Sequence, residues 1–156
     1  MKASNISAVR RANYPSPFGS LTIGWRDDCV VEIRHTSSCR EHDPSPVSDL
    51  AAAQLQEYFA GKRKTFSFPL APAGTPFPQA VWAALGEIPW GETRSYGQIA
   101  AAIGKPQAAR AVGMACNRNP IWIAIPCHRV IGAGKQLTGY AGGLSMKQAL
   151  LELERT

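Results

Sequence analysis

The stretch GETRSYGQIAAAIGKPQAARAVGMACNRNP, residues 91–120, carries the strongest local signals for the fold. Ser95 followed three positions later by Gln98 is the capping-box spacing that begins a helix, and Gly104 is well placed to end that helix. Pro106 fits the first turn of a second helix. Two helices joined by a short turn that contains glycine predict a helix-turn-helix.

The second predicted helix runs from Pro106 to about Ala115 and consists mostly of small residues, with Arg110 as its only long cation. Two interpretations are open. In one, the alanines pack against a neighbouring helix and Arg110 is solvated. In the other, the helix lies in a nucleic-acid groove and Arg110 projects into it. The formal net charge of +6 agrees with a polyanionic partner but does not require one.

Residues 121–125 form a short apolar run that predicts a buried strand, and Pro126 ends it. Cys127, His128 and Arg129 follow directly. A thiol reacts as its thiolate, so a cysteine nucleophile needs a base or a cation nearby, and His128 is the candidate base. These residues alone leave three alternatives for Cys127: an inert packing residue, a metal ligand or a nucleophile.

A zinc site is not predicted, although four potential ligands lie within fourteen residues: Cys29, His35, Cys39 and His42. Their spacing matches none of the compact zinc patterns. The sequence shows no CxxC pair, no leader-like start and no apolar run of the roughly 18 residues that a membrane span needs. We therefore expect a cytoplasmic protein with free thiols, no metal or other cofactor and no membrane partner.

The N-terminal half predicts both strands and a helix. Residues 20–24 and 29–33 predict a β-hairpin around a polar turn. A helix is expected to begin at Ser48, as its N-cap, and to end before Gly61.

Residues 62–78 are rich in proline and glycine, and a domain boundary is expected near Pro72. Residues 79–88 then predict an apolar helix. Near the end of the chain, Ser145 and Gln148 repeat the capping-box spacing and predict a final helix.

The hexapeptide IPCHRV, residues 125–130, resembles the active-site signature of the O6-alkylguanine-DNA alkyltransferases, also called methylated-DNA–protein-cysteine methyltransferases. Residues 81–113, the pair Asn119-Pro120 and residues 137–154 are similar to family segments in the same order. The segments SPFGSLTIG and EYFAGKRKTF resemble the family's less distinctive first domain.

This resemblance implies an α+β fold with two domains. A small α/β domain of the ribonuclease H-like type would span residues 1–72. A mainly helical, winged helix-turn-helix domain that carries the active site would span residues 73–156.

The resemblance also implies the reaction. An alkyl group would pass from O6 of guanine, or O4 of thymine, in a flipped-out nucleotide to the Cys127 sulfur, so that each molecule acts once. His128 would be the water-mediated base and Glu154 the carboxylate that orients it. Asn119 would brace the active-site turn.

By the same resemblance, the partner is double-stranded DNA that carries O6-alkylguanine, with the helix-turn-helix in the minor groove. Arg110 would fill the vacated stack, and Tyr96 would help to rotate the 3′ phosphate. The backbone of Val130 would accept from the guanine amine. The other residues implied in contact with substrate or DNA are Tyr140, Ala141, Gly142, Gln107, Ala108, Ala109 and Ser95. A monomer is expected, with cooperative binding on DNA left open.

Three residues depart from the family pattern: Pro78 stands in place of a glutamine, Trp122 is unusually large for its position, and Ala141 stands where many members have serine. Other classes of protein fit less well. Alkyltransferase-like proteins, which bind lesions without repairing them, replace the signature cysteine, whereas Cys127 is present here. A transcription factor leaves the Cys-His-Arg run unexplained, and a cysteine hydrolase needs an oxyanion hole that nothing in the sequence marks.

Overall fold

The computed structural model of the chain describes residues 8–36 and 39–155. Two compact units divide between Pro72 and Ala73. Helices and strands occur in both units, and the predicted α+β class is confirmed. Among the described residues, no helix is long and apolar enough to cross a membrane.

The first unit contains a three-stranded antiparallel sheet in the order β1-β2-β3. Its strands are β1 (Arg10–Ser16), β2 (Gly19–Arg26) and β3 (Cys29–His35). The predicted hairpin is confirmed as β2 and β3, which turn at Asp27 with a φ of 55°. Strand β1 was not predicted, because this edge strand contains arginine, asparagine and proline instead of a run of strand-forming residues.

Helix α1 (Pro46–Phe59) packs against this sheet. The predicted N-cap at Ser48 is wrong, because Ser45 caps the helix and Ser48 completes the capping box from inside its first turn. Pro46 occupies the first helical position, where its missing N–H has no helical partner to lose. The predicted end is confirmed, and Gly61 follows it with a φ of 75°, which glycine adopts without strain.

The second unit is mainly helical. Its helices are α2 (Pro76–Leu85), α3 (Tyr96–Ala102), α4 (Ala109–Asn117) and α5 (Leu144–Leu153). Helix α2 begins before the predicted residue 79, because Pro76 is tolerated in a first turn. It also ends before the predicted residue 88, at Leu85 with Gly86 as its C-cap. Two short strands, β4 (Arg94–Ser95) and β5 (Val130–Ile131), pair in parallel and join the start of α3 to the segment after Cys127.

The predicted helix-turn-helix corresponds to α3 and α4, and the first helix has the predicted ends. Ser95 is its N-cap and forms the full capping box with Gln98, and Gly104 follows with a φ of 76°. The predicted start of the second helix at Pro106 is wrong. Residues 106–108 form a turn closed by a bond from Ala108 N to Lys105 O (2.9 Å), and no side chain caps α4.

The apolar run 121–125 is not a strand. It forms a tight turn in which Ile125 N donates to Ile121 O at 3.0 Å, and Ile123 has a φ of 72°, which is rare for a β-branched residue. Its three isoleucines are buried nevertheless. The apolar pattern of residues 121–125 therefore predicted correctly that this segment is buried, but the predicted strand conformation is wrong.

Helix α5 also begins differently from the prediction. Gly143, with a φ of 95°, precedes it, and Ser145 lies within the first turn without capping the helix. Leu150 and Leu151 bury the inner face of α5, which packs against a 3₁₀ turn at Cys127–Arg129.

Candidate active site

Cys127 opens the 3₁₀ turn and is nearly buried, with 5% of its surface exposed. Asn119 fixes the segment that leads to it. The side-chain amide of Asn119 donates to Ile125 O at 2.8 Å and to Cys127 Sγ at 3.2 Å, and its Oδ1 accepts from Ile121 N at 2.9 Å. One buried amide therefore holds both ends of the turn and the thiol itself.

His128 lies beside Glu154 and is completely buried. The two side chains are joined by a hydrogen bond of 2.7 Å between Nε2 and Oε2. His128 Nδ1 is buried and has no hydrogen-bond partner among the described residues. When Nε2–H donates to the carboxylate, Nδ1 keeps its lone pair and is the atom that can accept a proton.

Arg129 is the second partner of Glu154, and no role was predicted for it from the sequence. Its Nε donates to Oε1 at 2.7 Å and its Nη2 to Oε2 at 2.9 Å, which is the bidentate geometry of a strong ion pair. Its Nη1 donates to Ile88 O at 2.6 Å. Arg129 directly follows the Cys-His pair, but sequence alone did not indicate that it is buried.

Lys147 of α5 is also buried and was not singled out from the sequence. Its Nζ donates to Thr138 O at 2.7 Å, which ties the loop before Tyr140 to α5. Burial lowers the pKa of Lys147, and the nearby thiols of Cys127 and Cys116 act in the opposite direction. A lysine within an otherwise apolar helical face was the available sequence signal.

The surroundings of Cys127 favour the neutral thiol in the resting protein. Burial raises the pKa of Cys127 to about 11, while the Asn119 hydrogen bond and the charge of Lys147 oppose that shift. Burial also lowers the pKa of His128, partly offset by Glu154. Both shifts favour the uncharged forms, a thiol at Cys127 and a neutral imidazole at His128.

An open cavity of about 490 Å³ lies along α4. Tyr96, Ala109 and Arg110 line it, together with further residues of α4 and of the loop before Tyr140. Tyr96 and Thr138 both line this cavity, and the Tyr96 hydroxyl is hydrogen-bonded to Thr138 Oγ1 at 2.8 Å. Gln107 is exposed in the turn before α4, and Ala108 is partly exposed beside it.

Tyr140 directly follows this loop in sequence and is close enough to Cys127 and Glu154 to interact with them electrostatically. Its hydroxyl is buried without a hydrogen-bond partner among the described residues, and its ring lies 5.9 Å from that of Trp122. Burial, reinforced by Cys127 and Glu154, raises the pKa of Tyr140 well above its usual value. Gly142 has no room for a side chain, because a Cβ there would lie 2.7 Å from Met146 Sδ.

The structure thus brings the predicted residues together in two groups. Cys127, His128, Asn119 and Glu154 form one buried cluster. Tyr96, Ala109 and Arg110 line the cavity. Val130 pairs with Arg94 in the small parallel sheet, Ser95 caps α3, and Ala141 is exposed in the loop after Tyr140.

No group of three or more potential metal ligands occurs among residues 8–36 and 39–155. Two of the ligands considered from the sequence have other partners. Cys39 donates to Glu41 O at 3.7 Å, and His42 Nδ1 accepts from Asn13 N at 3.1 Å.

Two family models match the chain. The ribonuclease-like domain of 6-O-methylguanine DNA methyltransferase matches residues 9–72, and the DNA binding domain of the same family matches residues 76–156. The constitutive methylated-DNA–protein-cysteine methyltransferase of Bacillus subtilis is 50% identical over 151 residues, which cover 90% of this chain and 92% of that protein. The methylated-DNA–protein-cysteine methyltransferase of Methanosarcina acetivorans is 62% identical over 104 residues, 67% of each chain.

Solved structures agree with these matches. The O6-methylguanine methyltransferase of Mycobacterium tuberculosis superimposes with a TM-score of 0.86 at 47% identity, over 95% of this chain and 93% of that chain. The OGT protein of the same organism in complex with DNA gives a TM-score of 0.87 at 49% identity, over 94% and 93% of the two chains. This chain belongs to the 6-O-methylguanine DNA methyltransferase family.

Proposed function

We propose that this protein repairs DNA by moving the alkyl group of O6-alkylguanine, and of O4-alkylthymine, onto its own Cys127. It is a methylated-DNA–protein-cysteine S-methyltransferase that acts once per molecule. One arrangement carries this proposal. The buried thiol of Cys127 is held by Asn119, and the adjacent His128 is bonded to Glu154 through Nε2 while its Nδ1 has no hydrogen-bond partner among the described residues.

The proposed step is a displacement at the alkyl carbon. A lone pair on Cys127 Sγ forms the new S–C bond while the C–O6 bond breaks and its electrons return to the guanine. The thiol proton passes to His128 Nδ1 through a bridging water and from there to solvent. The guanine takes one proton from solvent as it is released, so the protons balance. The product is a thioether, from which the alkyl group is not readily displaced, so the cysteine is consumed.

Glu154 and Arg129 position the base in this proposal. The carboxylate holds Nε2–H of His128 and so directs Nδ1 towards the proton to be removed. Arg129 contacts both carboxylate oxygens and balances their charge inside the protein. Glu154 therefore orients the imidazole without forcing it into the charged form before reaction.

For DNA binding, we assign α3 and α4 to the minor groove. A stacked base cannot present its O6 substituent to a buried sulfur, so the nucleotide must be flipped out, which costs a few kcal/mol. Arg110 on α4 would fill the vacated stack, and Tyr96 on the cavity wall would contact the phosphate of the rotated nucleotide.

The remaining contacts are assigned by position. Gln107, Ala108, Ala109 and Ser95 would lie against the DNA backbone near the start of α4 and of α3. The carbonyl of Val130 would accept from the guanine amine. The Ala141 N–H would donate to O6, and Tyr140, Ala141 and Gly142 would wall the base pocket.

On this proposal, the unit before Ala73 has a structural role and the unit after it binds DNA and carries out the reaction. The protein acts as a monomer, without a metal or other cofactor. It is located in the compartment that contains the genomic DNA, which in a cell without a nucleus is the cytoplasm.

The restored base tests the proposal. A duplex with O6-methylguanine inside a restriction site resists cleavage until guanine is regenerated. Incubation with the protein should restore cleavage of one duplex per protein molecule, and Cys127→Ser should restore none. Tight binding to the lesion with no restored cleavage would identify a lesion-binding protein instead.

A further inference from the structure

Met114 on α4 is an exposed apolar side chain for which the proposed chemistry has no use. Its relative exposure is 53%, the highest among the large apolar residues of the described chain. Met114 lines the cavity along α4 together with Arg110 and Asn117. Positions 110, 114 and 117 are spaced by four and three residues, so they share one face of the helix.

The opposite face of α4 forms the core. Val112, Ala115 and Cys116 are buried there. Two other residues of α4 that line the same cavity, Ala109 and Gly113, have little or no side chain. The Met114 side chain therefore projects from a part of the α4 surface where the other side chains are small, one helical turn away from Arg110.

A single exposed apolar residue is common on protein surfaces and needs no function. The position of Met114 is what points to a ligand, because the same cavity face carries a cation and an amide. Such a face suits DNA better than a wholly apolar partner, since the cation can meet phosphate or base edges while the apolar chain meets sugar and base faces.

We propose that Met114 is an apolar wedge that contacts the nucleotide next to the extruded one. This inference rests on the proposed function and adds a residue to its DNA contact. Side chains one helical turn apart lie about 5–6 Å from each other, and successive nucleotides of one strand rise by about 3.4 Å. With Arg110 in the vacated stack, Met114 reaches the neighbouring step.

Methionine suits this role chemically. Minor-groove proteins insert apolar side chains, including methionine, at base steps. The thioether is flexible and polarisable and packs well on aromatic faces. Every base offers such a face, so the contact strengthens binding to DNA without reading its sequence.

The test compares Met114→Ala, Met114→Leu and Met114→Gln with the wild-type protein. Methyl transfer is measured from an O6-methylguanine duplex and from the free base O6-methylguanine. Duplex affinity is measured separately in a Cys127→Ser background. Met114→Ala and Met114→Gln should lower duplex affinity and duplex rate by about 2- to 10-fold, the loss expected when roughly one methylene equivalent of apolar contact is removed. Met114→Leu should stay near the wild type, and the free-base rate should not change.

Leu50→Ala is the matched control, because Leu50 is an exposed apolar residue of α1, at 43% exposure. It should leave both rates unchanged, and thermal unfolding should show that every variant is folded. Wild-type duplex affinity in Met114→Ala, or an equal loss on duplex and free base, would overturn the inference. If the wild-type protein itself transfers no methyl group, it is the proposed function that fails.

Discussion

The residue-scale design of the site centres on one buried carboxylate with two partners. Glu154 Oε2 lies 2.7 Å from His128 Nε2 and 2.9 Å from Arg129 Nη2, and Oε1 lies 2.7 Å from Arg129 Nε. The guanidinium offsets the carboxylate charge, so the imidazole need not be protonated to keep Glu154 in place. A neutral His128 is what a base must be before it accepts a proton.

Substitution of Glu154 should separate these two roles. Glu154→Gln leaves the buried Arg129 charge without a counter-ion, so the free energy of unfolding should fall by about 3–5 kcal/mol. The rate of methyl transfer should also fall, by up to about 100-fold, the low end of what a positioned base contributes, because His128 remains but loses its orienting carboxylate. Chemical denaturation and single-turnover kinetics measure the two effects.

The control for this prediction is the double variant Arg129→Met with Glu154→Gln, which removes both buried charges. It should regain most of the lost stability, since no charge is left unpaired, while methyl transfer stays slow. A double variant that transfers methyl groups at the wild-type rate would show that Glu154 does not act through His128.

The raised pKa of Cys127 predicts a pH-dependent contribution to stability. The folded protein holds this thiol protonated up to about pH 11, whereas an unfolded cysteine ionises near 9.0. Cys127 therefore contributes stability below pH 9 that is lost as the pH rises towards 11, with a slope of up to about 1.4 kcal/mol per pH unit.

The difference in unfolding free energy between the wild type and Cys127→Ala isolates this thiol from other groups that titrate at high pH. That difference should change in favour of Cys127→Ala as the pH rises from 8 towards 11. A difference that is constant over this range would mean that the thiol is not held in its neutral form.

At the scale of elements, α3 and α4 present the surface proposed to meet DNA. Helix α3 is fixed at its start by the capping box of Ser95 and Gln98. Helix α4 has no side-chain cap, and its position instead depends on packing, including the bond from Trp82 Nε1 to Ala115 O at 3.0 Å. The proposed recognition helix is therefore held from the core side, and its exposed face is left free for a ligand.

Arg110→Ala should impair repair of a duplex much more than reaction with the free base O6-methylguanine. Only the duplex reaction needs a side chain in the vacated stack, and the loss there should be about 10-fold or more. The matched control is Arg118→Ala, because Arg118 is an exposed arginine that follows α4. Equal losses with both substrates would contradict a role of Arg110 in flipping.

The loop after Tyr140 should be sensitive to a single methyl group. A Cβ at Gly142 would lie 2.7 Å from Met146 Sδ and 2.8 Å from Tyr140 Cε2. Gly142→Ala should therefore move the Tyr140 ring, slow methyl transfer and lower the unfolding free energy by about 1–3 kcal/mol.

Gly97→Ala is the control for that substitution. A Cβ at Gly97 meets only Ser95 Oγ within 4 Å, at an ordinary 3.8 Å. Because Gly97 lies within α3, alanine there should raise the unfolding free energy by about 0.5–1 kcal/mol. A Gly142→Ala protein as stable and as active as the wild type would show that the loop can shift to accommodate a methyl group at this position.

The elements differ in how far sequence could predict them. The start of α3 was predictable because Ser95, Gln98 and Gly104 act locally. The start of α4 was not, since Pro106 is acceptable both in a first helical turn and in the turn that the chain adopts here. The turn at residues 121–125 depends on hydrogen bonds to Asn119, which no apolar pattern can indicate.

At the scale of the whole molecule, residues far apart in sequence have to meet. The Cys-His pair and Glu154 were associated in advance only through the resemblance to the family, because 26 positions separate His128 from Glu154. The burial of Arg129 and Lys147 was not predicted, since charged residues are usually solvated. Their partners depend on the packing of α5 against the 3₁₀ turn, a tertiary contact that the sequence does not indicate.

The proposed function depends above all on Cys127 being the acceptor and on each molecule reacting once. Intact-mass measurement after incubation with excess O6-methylguanine duplex tests it most directly, with peptide mapping to locate the added group. The expected result is a gain of one methyl group per protein, located on Cys127, that does not increase with longer incubation and does not form in Cys127→Ser. An unchanged mass, a methyl group on another residue, or continued turnover without modification of the protein would contradict it.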